Sequence, residues 1–301
     1  MTTVTPAAVR GDWPTMPIQT PEQMLFVGRV ADAIAAAKQQ VTARPADAGL
    51  RFTFAQMMAV VGRWDEAALA ARTAGRLDAA RAPMASAVGV LVAAERVRAE
   101  VFAGRQLPQL FGEPAPYAGW YAAAHQLSVQ GDAARAAALR AEAEAAAPLA
   151  PGRVDGRPFD YCLDRDDRLG PMLEVVVGGQ YHWMPFAVLR RIDLRPPTSL
   201  HATIWAQAVF TLTNAAAVPA FIPVRYAGSE ASADPAVQMS WTTTWEQHPD
   251  GAYRGLGQRL LRVGSQAVAL LDVRTLEFTD EDGPTGGGPA GDAVPTPVGA
   301  A

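Results

Sequence analysis

The sequence holds one cysteine, one lysine and four histidines among 301 residues, and each scarcity narrows what the chain can be. With Cys162 alone, no disulfide can form within the chain, so it reads as a protein of a reducing compartment, the cytoplasm. A nucleophilic Cys162 would need a histidine partner that spacing does not supply, and a buried structural thiol is the stronger reading. His125, His182, His201 and His248 fall at neither HxH nor HxxxH spacing, so no zinc pattern is present. No apolar run approaches the roughly 20 residues that span a bilayer. The opening MTTVTPAAVRGDWPTMP has no charged segment leading into an apolar one, so no secretory signal is expected. The formal net charge of -4 lacks the basic excess of a nucleic-acid binder. Only Lys38 is a lysine among 26 basic residues, a bias that, beside so much Ala, Gly and Pro, reflects genome composition rather than a phosphate site.

What is present divides by period. Residues 1–19 carry Pro6, Gly11, Pro14 and Pro17 without periodicity and read as a loose arm. From Thr20 to about 150 the apolar spacing is helical. Thr20-Pro21-Glu22-Gln23 has the residues of a capping box, and the apolar face it opens runs to about Val41. Asp47 is a plausible cap for the next helix, and Gly62-Arg63-Trp64-Asp65 a turn into another. A long helix runs from about Pro83 to Gly104, and a last pair is joined at Gly131-Asp132. Helix, Gly-containing turn, helix is the pattern of tetratricopeptide (TPR) hairpins, here two approximate units around a long helix. After Pro148, Pro151 and Gly152 the period becomes 2, with strand candidates at 187–194, 206–212, 218–226, 266–271 and 273–278. The expected architecture is therefore α+β in two domains: an all-α TPR-like domain at 20–150 and a strand-rich α/β domain at 151–278. The Gly- and Pro-rich stretch 279–301 reads as a disordered tail.

The stretch Phe159 to Pro185 is the densest in chemistry. Met172 to Val177 and Gln180 to Trp183 flank Gly178-Gly179, which suits the positive φ of a tight hairpin. Ahead of it Asp160, Asp164, Asp166 and Asp167 crowd against Arg165 and Arg168. Alternating carboxylates can hold a hard cation, but the glycine-centred loop and closing Glu of a calcium hand are missing, which favours a salt-bridged turn. Gly228-Ser229-Glu230 is not a GxSxG elbow; Ser229 reads as a cap or turn residue, with Glu230 accepting a hydrogen bond or pairing with an Arg. Gly255-x-Gly257 lacks the third glycine of a dinucleotide loop. Trp64, Trp120, Trp183, Trp205, Trp241 and Trp245 read as core aromatics before interface anchors.

Taken in order, certain residues resemble the ImpE/TagJ family of type VI secretion accessory proteins. They include Gly62-Arg63-Trp64-Asp65-Glu66-Ala67, Ala94 to Gly104, Asp164, Asp167-Arg168-Leu169-Gly170-Pro171, Leu173-Glu174 and Trp183-Met184-Pro185-Phe186. They continue through Ile222 to Tyr226, Gly228-Ser229-Glu230, Gly255-Leu256-Gly257-Gln258-Arg259 and Leu270 to Arg274, so the resemblance covers about 20–278. His201-Ala202-Thr203 and Ala227 depart from the family pattern. The resemblance implies a cytoplasmic, non-enzymatic adaptor without cofactor, bound to the N-terminal helix of the contractile sheath's small subunit, of the TssB/VipA type. It implies structural roles for Asp164, Asp167, Arg168, Gly170, Glu174, Arg225, Tyr226, Gly228, Ser229, Glu230, Gln258 and Arg259. An amphipathic partner helix needs an apolar groove, on the helices or between the domains, and Phe54, Met58 and Trp64 are its candidates. The alternative is a metal-dependent hydrolase built on the acidic segment around Asp164; a third reading is a self-assembling scaffold. No nucleic-acid or membrane partner is expected.

Overall fold

The computed structural model describes residues 20–113 and 115–279, so the arm at 1–19 and all of the tail beyond Thr279 lie outside the described residues. Among the described residues seven α-helices precede residue 150: α1 (Pro21–Phe26), α2 (Val30–Ala43), α3 (Ala48–Val60), α4 (Trp64–Leu77), α5 (Ala82–Phe102), α6 (Pro116–Val129) and α7 (Ala133–Ala146). A two-residue strand, β1 (Gln109–Leu110), interrupts them. Their starts follow local chemistry. Thr20 and Gln23 form the reciprocal capping box, Asp47 accepts from the Leu50 amide, and Asp132 accepts from the Arg135 amide. The single helix expected from Thr20 to about Val41 is two. At Gly28 the chain turns left-handed and the amides of Gly28 and Arg29 return to Leu25 and Met24 carbonyls, which ends α1.

The second half supplies the strands β2 (Gly152–Val154), β3 (Arg157–Phe159), β4 (Cys162–Asp164), β5 (Met172–Val177), β6 (Gln180–Pro185), β7 (Leu189–Leu194), β8 (Trp205–Leu212) and β9 (Ala217–Pro223). A one-turn helix α8 (Pro235–Gln238) follows, then β10 (Thr243–Gln247), β11 (Tyr253–Gly257), β12 (Leu260–Val263), β13 (Gln266–Ala269) and β14 (Thr275–Phe278). Nine strands make one sheet in the order β1-β6-β5-β9-β8-β7-β14-β2-β3, antiparallel throughout except where β1 meets β6. Hairpin β10–β11 stands apart, and β13-β12-β4 form a third sheet. The β5–β6 hairpin turns at Gly178-Gly179, both at positive φ. Strand 218–226 stops at Pro223, beyond which Arg225 bridges only to Gln258.

Alternation along the strands sorts side chains onto two cores. Met172, Val176, Tyr181, Trp183 and Trp205 face the helices and merge with Leu91, Val101, Tyr117 and Tyr121 into one core. Leu173, Val175, Met184 and Phe210 face the other way and pack with Cys162, Leu261 and Val263 of the three-stranded sheet. The helical layer thus covers one face of the large sheet. Within that layer α4 packs on α3 and α5 through small residues, burying only Ala67, Ala70, Ala71 and Ala74.

The Gly-Leu-Gly segment is set by close approach. A Cβ on Gly255 would lie 2.3 Å from the Tyr226 ring, and one on Gly257 would lie 2.0 Å from the Thr242 carbonyl oxygen at φ +96°. Gly257→Ala is expected to lower unfolding free energy by more than about 2 kcal/mol in urea titrations, through overpacking and strain together. Gly119→Ala, in the interior of α6 with nothing within 4 Å of the new methyl, is expected to raise it by up to about 1 kcal/mol.

Candidate functional site at the helix–sheet junction

Period 2 places Glu174, in the middle of the apolar strand β5, on the face turned to the helices, where it is fully buried. A carboxylate there is tolerable only if bound by charge and hydrogen bonds. On α5, Glu95 and Arg98 share the buried stripe of Leu91, Ala94 and Val101. Arg98 grips Glu174 with both arms of its fork, Nε to Oε1 at 2.6 Å and Nη2 to Oε2 at 3.0 Å. It also meets Glu95 at 3.2 Å and donates to the Arg225 carbonyl at 2.6 Å. Tyr181 donates to Glu174 Oε1 at 2.5 Å and accepts from the Trp183 indole at 2.8 Å, while the Trp205 indole donates to Glu95 at 2.8 Å.

From Glu174 the chain of charge continues outward. Arg259, with no exposed surface, bonds Glu174 through Nη2 and Asp164 through Nη1, and its Nε donates to the Pro223 carbonyl at 3.0 Å. Asp164 Oδ1 also accepts from the Tyr226 hydroxyl at 3.0 Å and the Asp166 amide at 2.9 Å. Asp166 in turn binds Arg168, whose guanidinium lies 4.6 Å over the Phe102 ring, and accepts from the Gly255 amide at 3.0 Å. Arg225 ends the network differently: its guanidinium donates to the carbonyls of Ala59, Val60 and Gln238. A cation on the last carbonyls of α3 meets the negative end of that helix.

Burial pushes the Glu174 carboxyl up, but Arg98 and Arg259 outweigh it and hold the group at about 2. At Asp164 burial wins over Arg259, with Asp166 adding to it, and the group rises to about 6. Burial lowers Arg225, which touches no carboxylate. His125, packed on Phe102 and Trp183, is pulled down to about 4 by burial and by Arg168 and Arg254; one ring nitrogen lies 3.2 Å from the Val101 carbonyl.

The structure gathers most of the residues singled out by sequence. Asp164, Arg168, Glu174, Arg225, Tyr226 and Arg259 belong to the network just described. Gln258 is fully buried, its side chain donating to the Ser240 carbonyl and accepting from the Leu271 amide at 3.2 Å. Ser229 donates to the Tyr226 carbonyl at 2.5 Å and accepts from the Gly257 amide at 2.8 Å, closing the turn that Gly228 enters at φ +92°. Asp167 accepts from the Tyr253 amide at 2.6 Å. A Cβ on Gly170 would lie 2.5 Å from the Tyr121 hydroxyl, so only glycine fits there. Glu230 packs its stem against Gly62 at the α3–α4 turn, and its charge acts on Arg225 against the effect of burial. Asp160 is exposed and stands outside the cluster. Among the described residues no three His, Cys, Asp or Glu groups are arranged to hold a metal.

The groove candidates need correction. Met58 has no exposed surface, because it lies on the face of α3 turned into the core. Phe54 and Trp64 are half-buried against the same core, Trp64 with its ring 6.0 Å from Trp205. An apolar cleft of about 610 Å³ opens instead beside α1 and α3, lined by Leu25, Phe26, Leu200, Met239, Trp241 and Leu271 among others. Glu95 and Arg98 escaped notice as site residues, although charges in phase with buried Leu91 and Val101 were the available signal.

An N-terminal helical region laid on a large antiparallel sheet, and riveted to it by buried arginines, defines a mixed α+β protein. The chain belongs to the ImpE/TagJ family. The family described as ImpE protein matches residues 156–277. The type VI secretion system accessory component TagJ of Pseudomonas aeruginosa is 37% identical over 261 residues, 87% of this chain and 92% of its own length. A crystal structure of a Vibrio parahaemolyticus protein shares the fold, with a TM-score of 0.79 at 24% identity over 87% of this chain and 98% of that one. Among the described residues no helix is long and apolar enough to cross a membrane.

Glu174→Ala leaves Arg98 and Arg259 buried without their shared partner and is expected to cost about 3–5 kcal/mol of stability by denaturant titration. His125 gives a pH signature. It stays neutral in the fold, so the unfolded chain binds the extra proton between about 6.5 and 4, and stability falls as pH drops through that window. Raised Asp164 acts with opposite sign, contributing stability as pH falls from about 6. Measured as the difference from His125→Phe, in which Asp164 cancels, the wild type should lose about 2–3 kcal/mol between pH 7.5 and 4.5.

Proposed function

We propose that the chain is a non-catalytic accessory component of a type VI secretion system, acting in the cytoplasm as an adaptor for the sheath's small subunit. The observation that carries the accessory role is the 37% identity to a protein of that description, sustained over nearly the full length of both. In this reading the helices of 20–150 form a short TPR-like stack against a strand-rich unit at 151–278. The partner's N-terminal helix lays its apolar face in the cleft beside α1 and α3, whose lining is completed by loops and turns of the second half. The carboxylates a hydrolase would use support the adaptor instead: Asp164 is bound by Arg259 and Tyr226, and Asp167 by the Tyr253 amide.

The test is a calorimetric titration with a peptide of the sheath small subunit's N-terminal helix. Binding tighter than about 100 μM is expected, with at least a tenfold loss in Leu200→Glu or Thr53→Arg, both of which line the cleft, and none in Leu107→Glu, exposed elsewhere. An absence of heat at that concentration, or affinities indifferent to the cleft variants, defeats the reading.

A further inference from the structure

A second cleft, of about 840 Å³, lies on the far side of the buried network, between the β10–β11 and β12–β13 hairpins and the loop after β4. Its register is plain from the pairing. Gln247 stands opposite Tyr253 on one hairpin, with Trp245 two residues along on the same face. Arg262 stands between Leu163 and Ala267 on the other sheet. Glu246 points to the opposite face of β10, across from Arg254.

Two guanidiniums line this cleft without a carboxylate partner among the described residues. Arg165 lies 5.2 Å over the Trp245 ring, and Arg262 lies 5.2 Å over the Tyr161 ring. Trp245 in turn packs edge to face on Tyr226, ring centres 5.6 Å apart, so Arg165 rests on an aromatic pair anchored in the buried network. A guanidinium stacked on a ring keeps its in-plane N–H donors free, already oriented for a planar or tetrahedral oxyanion. The indole N–H of Trp245 is buried and has no acceptor among the described residues. The carboxylates present do not answer these donors: Asp164 is bound to Arg259 and Tyr226, and Asp167 accepts from the Tyr253 amide. The cleft therefore holds unanswered donors, with its two arginines and the carboxylates of Asp164 and Asp167 equal in formal charge.

We propose that this cleft is an oxyanion-binding site, in which Arg165 and Arg262 take a phosphate or carboxylate group between the hairpins. Its volume suits a small ligand or one acidic side chain group of a larger one. Gln247 and Gln266, both exposed at the mouth, supply amides for the rest of the ligand. The site is separate from the apolar cleft, so it stands whether or not a helix docks there.

Two probes distinguish the sources of the anion: inorganic pyrophosphate and a triglutamate peptide, each titrated calorimetrically into the full-length protein at low salt. Saturable binding of either one supports the site and names its chemistry, phosphate or carboxylate. Affinity is expected to fall at least tenfold in Arg165→Met/Arg262→Met, and to weaken as salt screens the charges. Gln266→Glu, an exposed change that sets a negative charge at the mouth, should weaken binding without touching either ring contact. A thermal midpoint matching wild type verifies that these variants fold. No saturable binding of either probe at 10 mM, or binding that Arg105→Met on the remote helical side reduces as much as the cleft variants, would overturn the proposal.

Discussion

Everything in this fold hangs on one buried carboxylate. Glu174 sits in an apolar strand with no solvent to neutralise it, and two arginines, Arg98 on α5 and Arg259 just ahead of β12, close on it. Desolvating three charged groups is expensive, and a well-packed apolar trio of similar volume could be as stable. What the ionic arrangement adds is uniqueness. A bidentate fork fits one distance and one angle, so α5 cannot slide along the sheet without stranding charge. The further bonds from Trp205 to Glu95 and from Arg225 to the end of α3 extend the same constraint across the helical layer.

That constraint adds to the apolar contacts of Leu91, Val101, Tyr117 and Tyr121, because not every helix contributes large side chains and α4 buries only alanine. Alanine buries about a methyl group where leucine would bury several, so an Ala-faced helix gains modestly from the hydrophobic effect. The benefit is close approach, which brings backbone and short side chains near enough for arginine to span the gap. The large apolar bodies that fill this interface, Trp183, Trp205 and Tyr181, come from the sheet, and each indole or hydroxyl among them donates into the network. Packing and polar satisfaction are thus achieved by the same residues.

Local features were legible in the sequence because their causes are local. The capping box at Thr20, the Asp47 cap, the turn at Gly131-Asp132, the Gly178-Gly179 hairpin and the span of α5 depend on neighbours within a few residues. The split between α1 and α2 was missed because Gly28 sits inside an apolar face whose period continues across it. The network was legible only as a set of motifs, since its bonds join residues as far apart as Ala59 and Arg225, 166 positions in sequence. Arginines and acids read as solvated by default, and only the fold shows which of them are inside. Met58 failed for the converse reason: an apolar residue on an amphipathic helix looks the same whether its face meets a partner or the chain's own core.

The network also decides how the two clefts relate. Gln258 forms part of the apolar cleft's wall, Asp164 part of the polar one's, and Arg259 is bonded in sequence to the first and by charge to the second. Adjacency of this kind invites the idea of a relay, but coupling between sites requires an element with two arrangements that each ligand biases. Arg259 shows none: each of its three nitrogens holds a partner, Glu174, Asp164 or the Pro223 carbonyl, and shifting one would leave a buried charge unpaired. Held through all three nitrogens, the arginine is a rigid strut. The two faces of the molecule are therefore held at fixed separation, free to serve different ligands independently, by the same interaction that keeps the helices in register.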